Sequence, residues 1–347
     1  MAKYSVAGYK FRSTEFFPMS DFDRVTSARV ERPELVMQAA AARKRRPKLT
    51  TDGKLTILAA DHPARMVTNF ADDPIAMGDR QQYLGRVARV ASSPGVDGIM
   101  GTTDIIEDLI LLDRLVQEAG GPSFLDNRIL LGSMNRSGLA GAAWEMDDRM
   151  TCFTPQSIKA LNMDGAKIMF RLCLEEPELS NRTLQYCADA VTQCNALGLP
   201  SFVEPLPVEH KDGKYSLKRT HTDIIKTMGV AYALGDSSRY TWLKIPYCDN
   251  YDVVARSTTA PCLMLGGESK GDPTGILTQF AAGMKAGNNI RGALVGRNVT
   301  YPGDDDPLAV MLAVAGIVHE GLAAEAATDR LMKSRDQNFD ALTRWIK

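Results

Sequence analysis

The sequence lacks most of the features that would commit it to a specialised class. None of its 347 residues falls in an apolar run of about 18, so no membrane-spanning helix and no membrane partner are expected. Residues 1–12 carry Lys and Tyr where a secretory signal would need an apolar stretch, and the expected location is the cytoplasm. Six cysteines (Cys152, Cys173, Cys187, Cys194, Cys248 and Cys262) are scattered without a Cys-x-x-Cys pair in a chain too large to need disulfide staples. All six are read as reduced small hydrophobes. The four histidines, His62, His210, His221 and His319, show no His-x-His or His-Glu-x-x-His spacing, so no zinc or iron site is expected. A formal net charge of -1 gives no global attraction to nucleic acid. No low-complexity tract is present. These absences favour chemistry done by side chains alone, with no cofactor.

What is present is ordinary globular material, 44% hydrophobic and 24% charged, enough for a large core. Short apolar runs bounded by Gly, Pro or Asn recur, each followed by a longer segment with helical spacing, which is the pattern of βα units on a parallel sheet. Eight strands are expected, at 55–61, 97–102, 128–134, 166–172, 201–206, 241–247, 261–267 and 292–299. Helices between them include 104–119, with Ile105, Leu109, Leu112 and Val116 on one stripe, and 181–197, carrying Leu184, Ala188, Val191 and Ala196. Eight units spanning roughly 55–321 predict a closed (β/α)8 TIM barrel. An open doubly wound sheet is the alternative, and it lacks support because no strand feeds a G-x-G-x-x-G turn.

Two regions fall outside the barrel. Residues 1–50 form an N-terminal extension with a predicted helix at 33–43, which runs into the basic stretch Arg43-Lys44-Arg45-Arg46; residues 51–347 are the barrel domain. A basic stretch in an otherwise neutral protein reads as a solvated face rather than a nucleic-acid contact. A terminal helix is expected over 323–347. Both ends are assigned to barrel capping or oligomer contacts, and a homo-oligomer is expected.

The informative residues are ionisable groups set inside apolar strands, because burying a charge is costly unless it is paired or used. In Thr241-Trp242-Leu243-Lys244-Ile245-Pro246, strand alternation turns Leu243 and Ile245 toward the helices and Trp242 and Lys244 into the barrel. The same parity places Lys167, Met169 and Arg171 inside on the fourth strand, Phe202 and Glu204 inside on the fifth, and Asp61 at the inner edge of the first. Two lysines and two carboxylates therefore converge on one barrel mouth, where active sites of this fold sit. A purely structural ion network is the alternative, but such a network gives little net stability.

A lysine in an apolar pocket beside another cation has its pKa pulled down, which leaves a neutral amine able to attack a carbonyl. Lys244, flanked by Trp242, Leu243 and Ile245 with Lys167 as neighbour, fits that description. Asp61 and Glu204 are the available proton acceptors. After the seventh strand comes Leu265-Gly266-Gly267-Glu268-Ser269, and Gly296-Arg297 closes the eighth, where barrels bind phosphate through backbone N–H groups and a cation. Asn135, Arg136 and Arg171 add donors suited to a carboxylate, sulfonate or second phosphate.

Together these pieces resemble the class I aldolase superfamily that includes deoxyribose-phosphate, tagatose-bisphosphate and fructose-bisphosphate aldolases. The pieces are Leu58-Ala59-Ala60-Asp61, Gly165-Ala166-Lys167, Val203-Glu204-Pro205, Leu243-Lys244-Ile245-Pro246, Gly266-Gly267 and Gly296-Arg297, in family order over about 55–300. The tagatose- and fructose-bisphosphate side is the nearer pattern. The resemblance implies an imine on Lys244, proton transfer supported by Lys167 and Glu204, substrate contact by Asp61, and a phosphorylated sugar as substrate. Two departures stand out. Cys262-Leu263-Met264-Leu265 has no counterpart of the second lysine of deoxyribose-phosphate aldolase, and Lys270 in the loop beyond is a poor replacement. The strand-three ending Gly132-Ser133-Met134-Asn135-Arg136-Ser137-Gly138 is foreign to tagatose-type enzymes. The chain also resembles uncharacterised aldolases associated with inositol or unusual-sugar breakdown, which implies a phosphorylated deoxy-keto-aldonate as a further substrate class. The competing readings are a barrel phosphosugar isomerase or epimerase using Glu204 or Asp61 as base, and a non-catalytic sugar-phosphate sensor.

Overall fold

The computed structural model describes residues 4–136 and 138–346; Ser137, Met1 to Lys3 and Lys347 lie outside the described residues. Nine strands form among the described residues: β1 Leu55–Ala60, β2 Gly98–Gly101, β3 Ile129–Ser133, β4 Gly165–Leu172, β5 Ser201–Lys211, β6 Lys214–Leu217, β7 Thr241–Pro246, β8 Cys262–Leu265 and β9 Ile290–Val295. Eight of them pair in parallel and close on themselves, β1 meeting β2 on one side and β9 on the other while β4 meets β5. The chain is a (β/α)8 TIM barrel. Only β6 stands outside the ring, as an antiparallel hairpin on the overlong end of β5. The expected alternation did not include this hairpin. Its burial is partial, so it carries no continuous apolar run.

The barrel separates two apolar layers, as continuous hydrophobic strands require when both faces are covered. Leu55, Ile57, Ala59, Met100, Ile129, Leu131, Phe202, Leu263 and Leu294 fill the interior, with Trp242 packed against them. Ile168, Phe170, Val203, Leu243 and Ile245 belong to the outer layer beneath the helices. The period-2 reading of strands β4, β5 and β7 holds in the structure.

Helix boundaries differ from expectation in instructive ways. The helix Thr103–Glu118 buries Ile105, Leu109, Leu112 and Val116, as its spacing predicted. The helix Pro177–Ala196 buries Val191 of the expected stripe with Thr183, Cys187, Ala190 and Cys194, packs Leu184 and Ala188 partly against the core, and leaves Ala196 exposed. Its stripe is offset by about one residue because small cysteines and a threonine, rather than leucine, face the barrel. The eighth barrel strand ends at Val295, four residues early, and Arg297 opens the short helix Arg297–Thr300. The expected 323–347 helix stops at Ser334 and gives way to turns that include Trp345.

The first fifty residues hold helices Ser13–Phe16, Met19–Glu31 and Leu35–Ala42. Phe11 and Phe16 pack on Phe339 near the other end of the chain, at ring distances of 6.1 and 5.8 Å. The basic stretch is not a solvated face. Arg43 and Arg45 pair with Asp164 at 3.0 and 2.8 Å, and Arg46 pairs with Asp97 at 2.8 Å. Both aspartates immediately precede barrel strands, so these cations fasten the extension across the N-terminal end of the barrel. Lys44 and Arg45 keep exposed side chains, Lys44 lying 3.8 Å from Asp126. Among the described residues no helix is long and apolar enough to cross a membrane.

Candidate active site

The C-terminal ends of the strands build one polar pocket from elements far apart in sequence. It is lined by Asp61, His62 and Arg65 after β1, Met169 on β4, Glu204 on β5, Lys244 on β7, Leu265 to Gly267 after β8, and Gly296 and Arg297 after β9. Strand register explains the convergence. Phe202 and Val203 lie opposite Trp242 and Leu243, so the next pair, Glu204 and Lys244, stands side by side, and Met169 lies opposite Glu204. Beneath this layer the rings of Phe202 and Trp242 stack at 5.7 Å and form an apolar floor.

Four ionised groups interlock above that floor. Lys244 Nζ donates to Glu204 Oε2 at 2.9 Å. Lys167 Nζ lies 3.2 Å from the same Glu204 oxygen and 3.3 Å from Asp61 Oδ2. All four residues are buried, Lys167 completely. The two lysines respond in opposite directions. Burial pushes both pKa values down, but Lys167 sits between two carboxylates, which more than reverse the effect, and its pKa lies above the ordinary lysine value. Lys244 has one carboxylate, and with burial and the Lys167 charge working against it, its pKa is lowered. Asp61 and Glu204 account for the contrast between the two lysines. Burial opposes the charge of both carboxylates, yet the neighbouring cations hold Asp61 and Glu204 ionised below their usual range.

The glycines have steric reasons. Gly267 adopts φ +70°, a left-handed turn that a side chain would strain. At Gly296 an added Cβ would come within 2.4 Å of the His62 ring, so glycine lets that ring lie against β9.

Three expected substrate donors are engaged elsewhere. Asn135 is fully buried, donating to Asp148 at 2.9 Å and to the Met169 carbonyl at 2.7 Å while accepting from Met169 N. Arg171 pairs with Glu145 at 2.5 Å. Both brace the long segment after β3 rather than line the pocket. Arg136 donates to the carbonyls of Ala64 and Thr151 and borders a neighbouring cavity with Trp144. Two pocket residues, His62 and Arg65, were missed by sequence reasoning. Their signal was available: they directly follow Asp61 at a strand C-terminus, and His62 was weighed only as a metal ligand. Among the described residues no three or more His, Cys, Asp or Glu are grouped to hold a metal ion.

The chain matches the Cgl0159-like family over residues 53–315. It belongs to that family. Among solved structures, Cgl0159 from Corynebacterium glutamicum is 37% identical with a TM-score of 0.80, covering 88% of this chain and 98% of that one. A fructose-bisphosphate aldolase from Slackia heliotrinireducens is 15% identical at TM-score 0.61, over 94% and 97% of the two chains. A Schiff base-forming fructose-1,6-bisphosphate aldolase is 20% identical at TM-score 0.55, over 82% and 100%. At such identities the two aldolases share the fold with this Cgl0159-like chain. Among curated proteins none matches.

Proposed function

We propose that this Cgl0159-like protein is a class I aldolase that holds a phosphorylated ketose or deoxy-keto-sugar acid as an imine on Lys244. The observation that carries the reading is the geometry of two buried lysines sharing one carboxylate, Lys167 held between Glu204 and Asp61 and Lys244 on Glu204 alone. Lys244 is shifted toward the neutral amine that a nucleophile must be, while Lys167 is held as the ammonium. The barrel shared with aldolases, one of them Schiff base-forming, is consistent with it.

The chemistry then runs as follows. The Lys244 amine adds to the substrate carbonyl, and the carbinolamine loses water to give a protonated imine. The bond between the α and β carbons breaks as its electron pair moves into the iminium, leaving an enamine on Lys244. The β-hydroxyl gives up its proton to a carboxylate, Asp61 or Glu204, and departs as an aldehyde. Protonation of the enamine carbon and hydrolysis return the amine. Lys167, fixed between both carboxylates, keeps them placed and ionised. Gly266, Gly267, Gly296 and Arg297 are proposed to hold a substrate phosphate, with Arg297 supplying the charge.

Borohydride reduction in the presence of a panel of phosphorylated ketoses, read by intact mass and peptide mapping, tests the reading. The expected result is the mass of the reduced donor fragment on the Lys244 peptide, absent in Lys244→Arg. Label on Lys167 would reverse the roles of the lysines. Turnover with no adduct on either would make the protein a non-covalent isomerase or epimerase.

A further inference from the structure

The pocket holds more positive charge than an imine requires. Arg65 and Arg297 both line it, and the Nε of each is buried without a hydrogen-bond partner. Neither guanidinium forms an ion pair among the described residues. Asp61 and Glu204 are taken by Lys167 and Lys244, and Glu268, which raises the pKa of Arg297, forms no ion pair with it among the described residues. The two arginines are also close enough for Arg65, after burial, to be the main influence depressing the pKa of Arg297. Leaving two like charges unpaired in a half-closed pocket is costly, and such an arrangement persists where a ligand completes it.

Their supports are built for the purpose. Arg65 ends a single 3-10 turn, Pro63–Arg65, after which Met66 at φ 65° swings the chain away. That turn is pinned from the segment after β3: Arg136 donates to the Ala64 carbonyl and Ala140 N to the Arg65 carbonyl at 3.0 Å. His62, whose ring rests against Gly296, lies between the β1 and β9 ends. Burial holds its pKa well below the ordinary value, so it is a neutral imidazole, and its Nδ1 has no hydrogen-bond partner.

We infer that Arg65 and Arg297 form a double-guanidinium clamp, with His62 as a neutral partner, for a dianionic group such as a phosphate monoester. The two arginines select the dianion. A phosphate monoester brings one charge for each guanidinium, and a carboxylate or sulfate ester brings only one. The clamp rests on the proposal that Arg297 binds a substrate phosphate and adds Arg65 as the residue that sets its charge requirement. An incoming dianion also stabilises a protonated imine on Lys244, so substrates without it should react poorly.

Calorimetric titration of the full chain with methyl phosphate and with methyl sulfate, a monoanion of the same shape, provides the test. At pH 8 methyl phosphate is expected to bind at least ten times more tightly. That preference should vanish near pH 5, because a phosphate monoester takes up its second proton at about pH 6. Arg65→Gln should erase the preference while leaving the melting temperature unchanged or higher, since no intramolecular partner is lost. Arg65→Lys, which keeps the charge, should retain part of it and serves if the glutamine variant does not fold. Wild-type preference in folded Arg65→Gln, with binding lost in Arg297→Ala, would overturn the clamp and leave a single-arginine phosphate site standing. Unchanged binding in both variants would remove the phosphate site as well.

Discussion

Buried charge gathers at both ends of this barrel, and the two ends are wired differently. At the N-terminal end Asp164 faces Arg43 and Arg45 and accepts Leu130 N at 2.9 Å, while Asp97 faces Arg46 and His319 and accepts Thr56 N at 2.7 Å. There the carboxylates are the hubs and Arg43, Arg45 and Arg46 each reach one, although Arg128 beside them keeps a buried Nε without a partner. At the C-terminal end the carboxylates are equally saturated, by lysines, yet Arg65 and Arg297 are left over. The lesson is that a buried ion cluster does not by itself mark a site, because folds use such clusters to fasten segments together. Donors without partners in a pocket mark one.

The comparison can be broken most sharply at the two lysines. Lys244→Met is expected to abolish turnover, a loss of several orders of magnitude because the nucleophile is gone. Its melting temperature should change little, because Glu204 retains Lys167 at 3.2 Å. A large fall in stability would make Lys244 a structural cation. At the other end the expectation is inverted. Arg43→Ala leaves Asp164 buried with only Arg45 as a cationic partner, and should cost up to about 3–5 kcal/mol by chemical denaturation, with kcat unaltered in the folded fraction.

Titration separates the ends further. His319 lies 2.8 Å from Asp52 and 2.9 Å from Asp97, and although burial lowers its pKa, these carboxylates raise it above the ordinary 6.5. A raised histidine contributes stability that is fully present below the unfolded value and is lost as pH rises through the folded one. Unfolding free energy should therefore decline above pH 6.5 in wild type, a decline that His319→Asn should lack. Lys244, being lowered, should put the ascending limb of kcat/KM below the ordinary lysine value of 10.5. A limb at or above that value would show that the site does not depress this amine. The smallest expected effect is none: exhaustive chelation should leave turnover unchanged, because in the proposed mechanism the imine is the electron sink. Activity lost in chelator and restored by zinc would contradict the imine reading.

Much of this was legible in sequence because strand parity is a local property. Once 241–247 is read as a strand with a greasy helix-facing side, Lys244 must face inward, and the same holds for Lys167 and Glu204. Arg171 shows the limit of that reasoning. Parity directs it inward, but nothing local says that Glu145, twenty-six residues away, will occupy it. Asn135 fails for the same reason, its amide being absorbed by Asp148 and Met169. Arg297 was placed correctly at the pocket although its strand was drawn four residues too long. The expected strand was carried on to Val299, yet residues 297–300 form a helical turn where the barrel strand ends at Val295.

The sequence by itself determined the barrel, its interior and exterior faces, and which ionisable groups turn inward, since alternation and βα rhythm follow from backbone geometry within each segment. Only the tertiary structure decided how those charges are distributed among partners. It gave Lys167 two carboxylates and Lys244 one, turned the basic stretch at 43–46 into a clasp on Asp97 and Asp164, and left Arg65 and Arg297 unmatched. Coulomb interactions depend on distances between residues tens to more than a hundred positions apart, and those distances exist only once the ring of strands has closed.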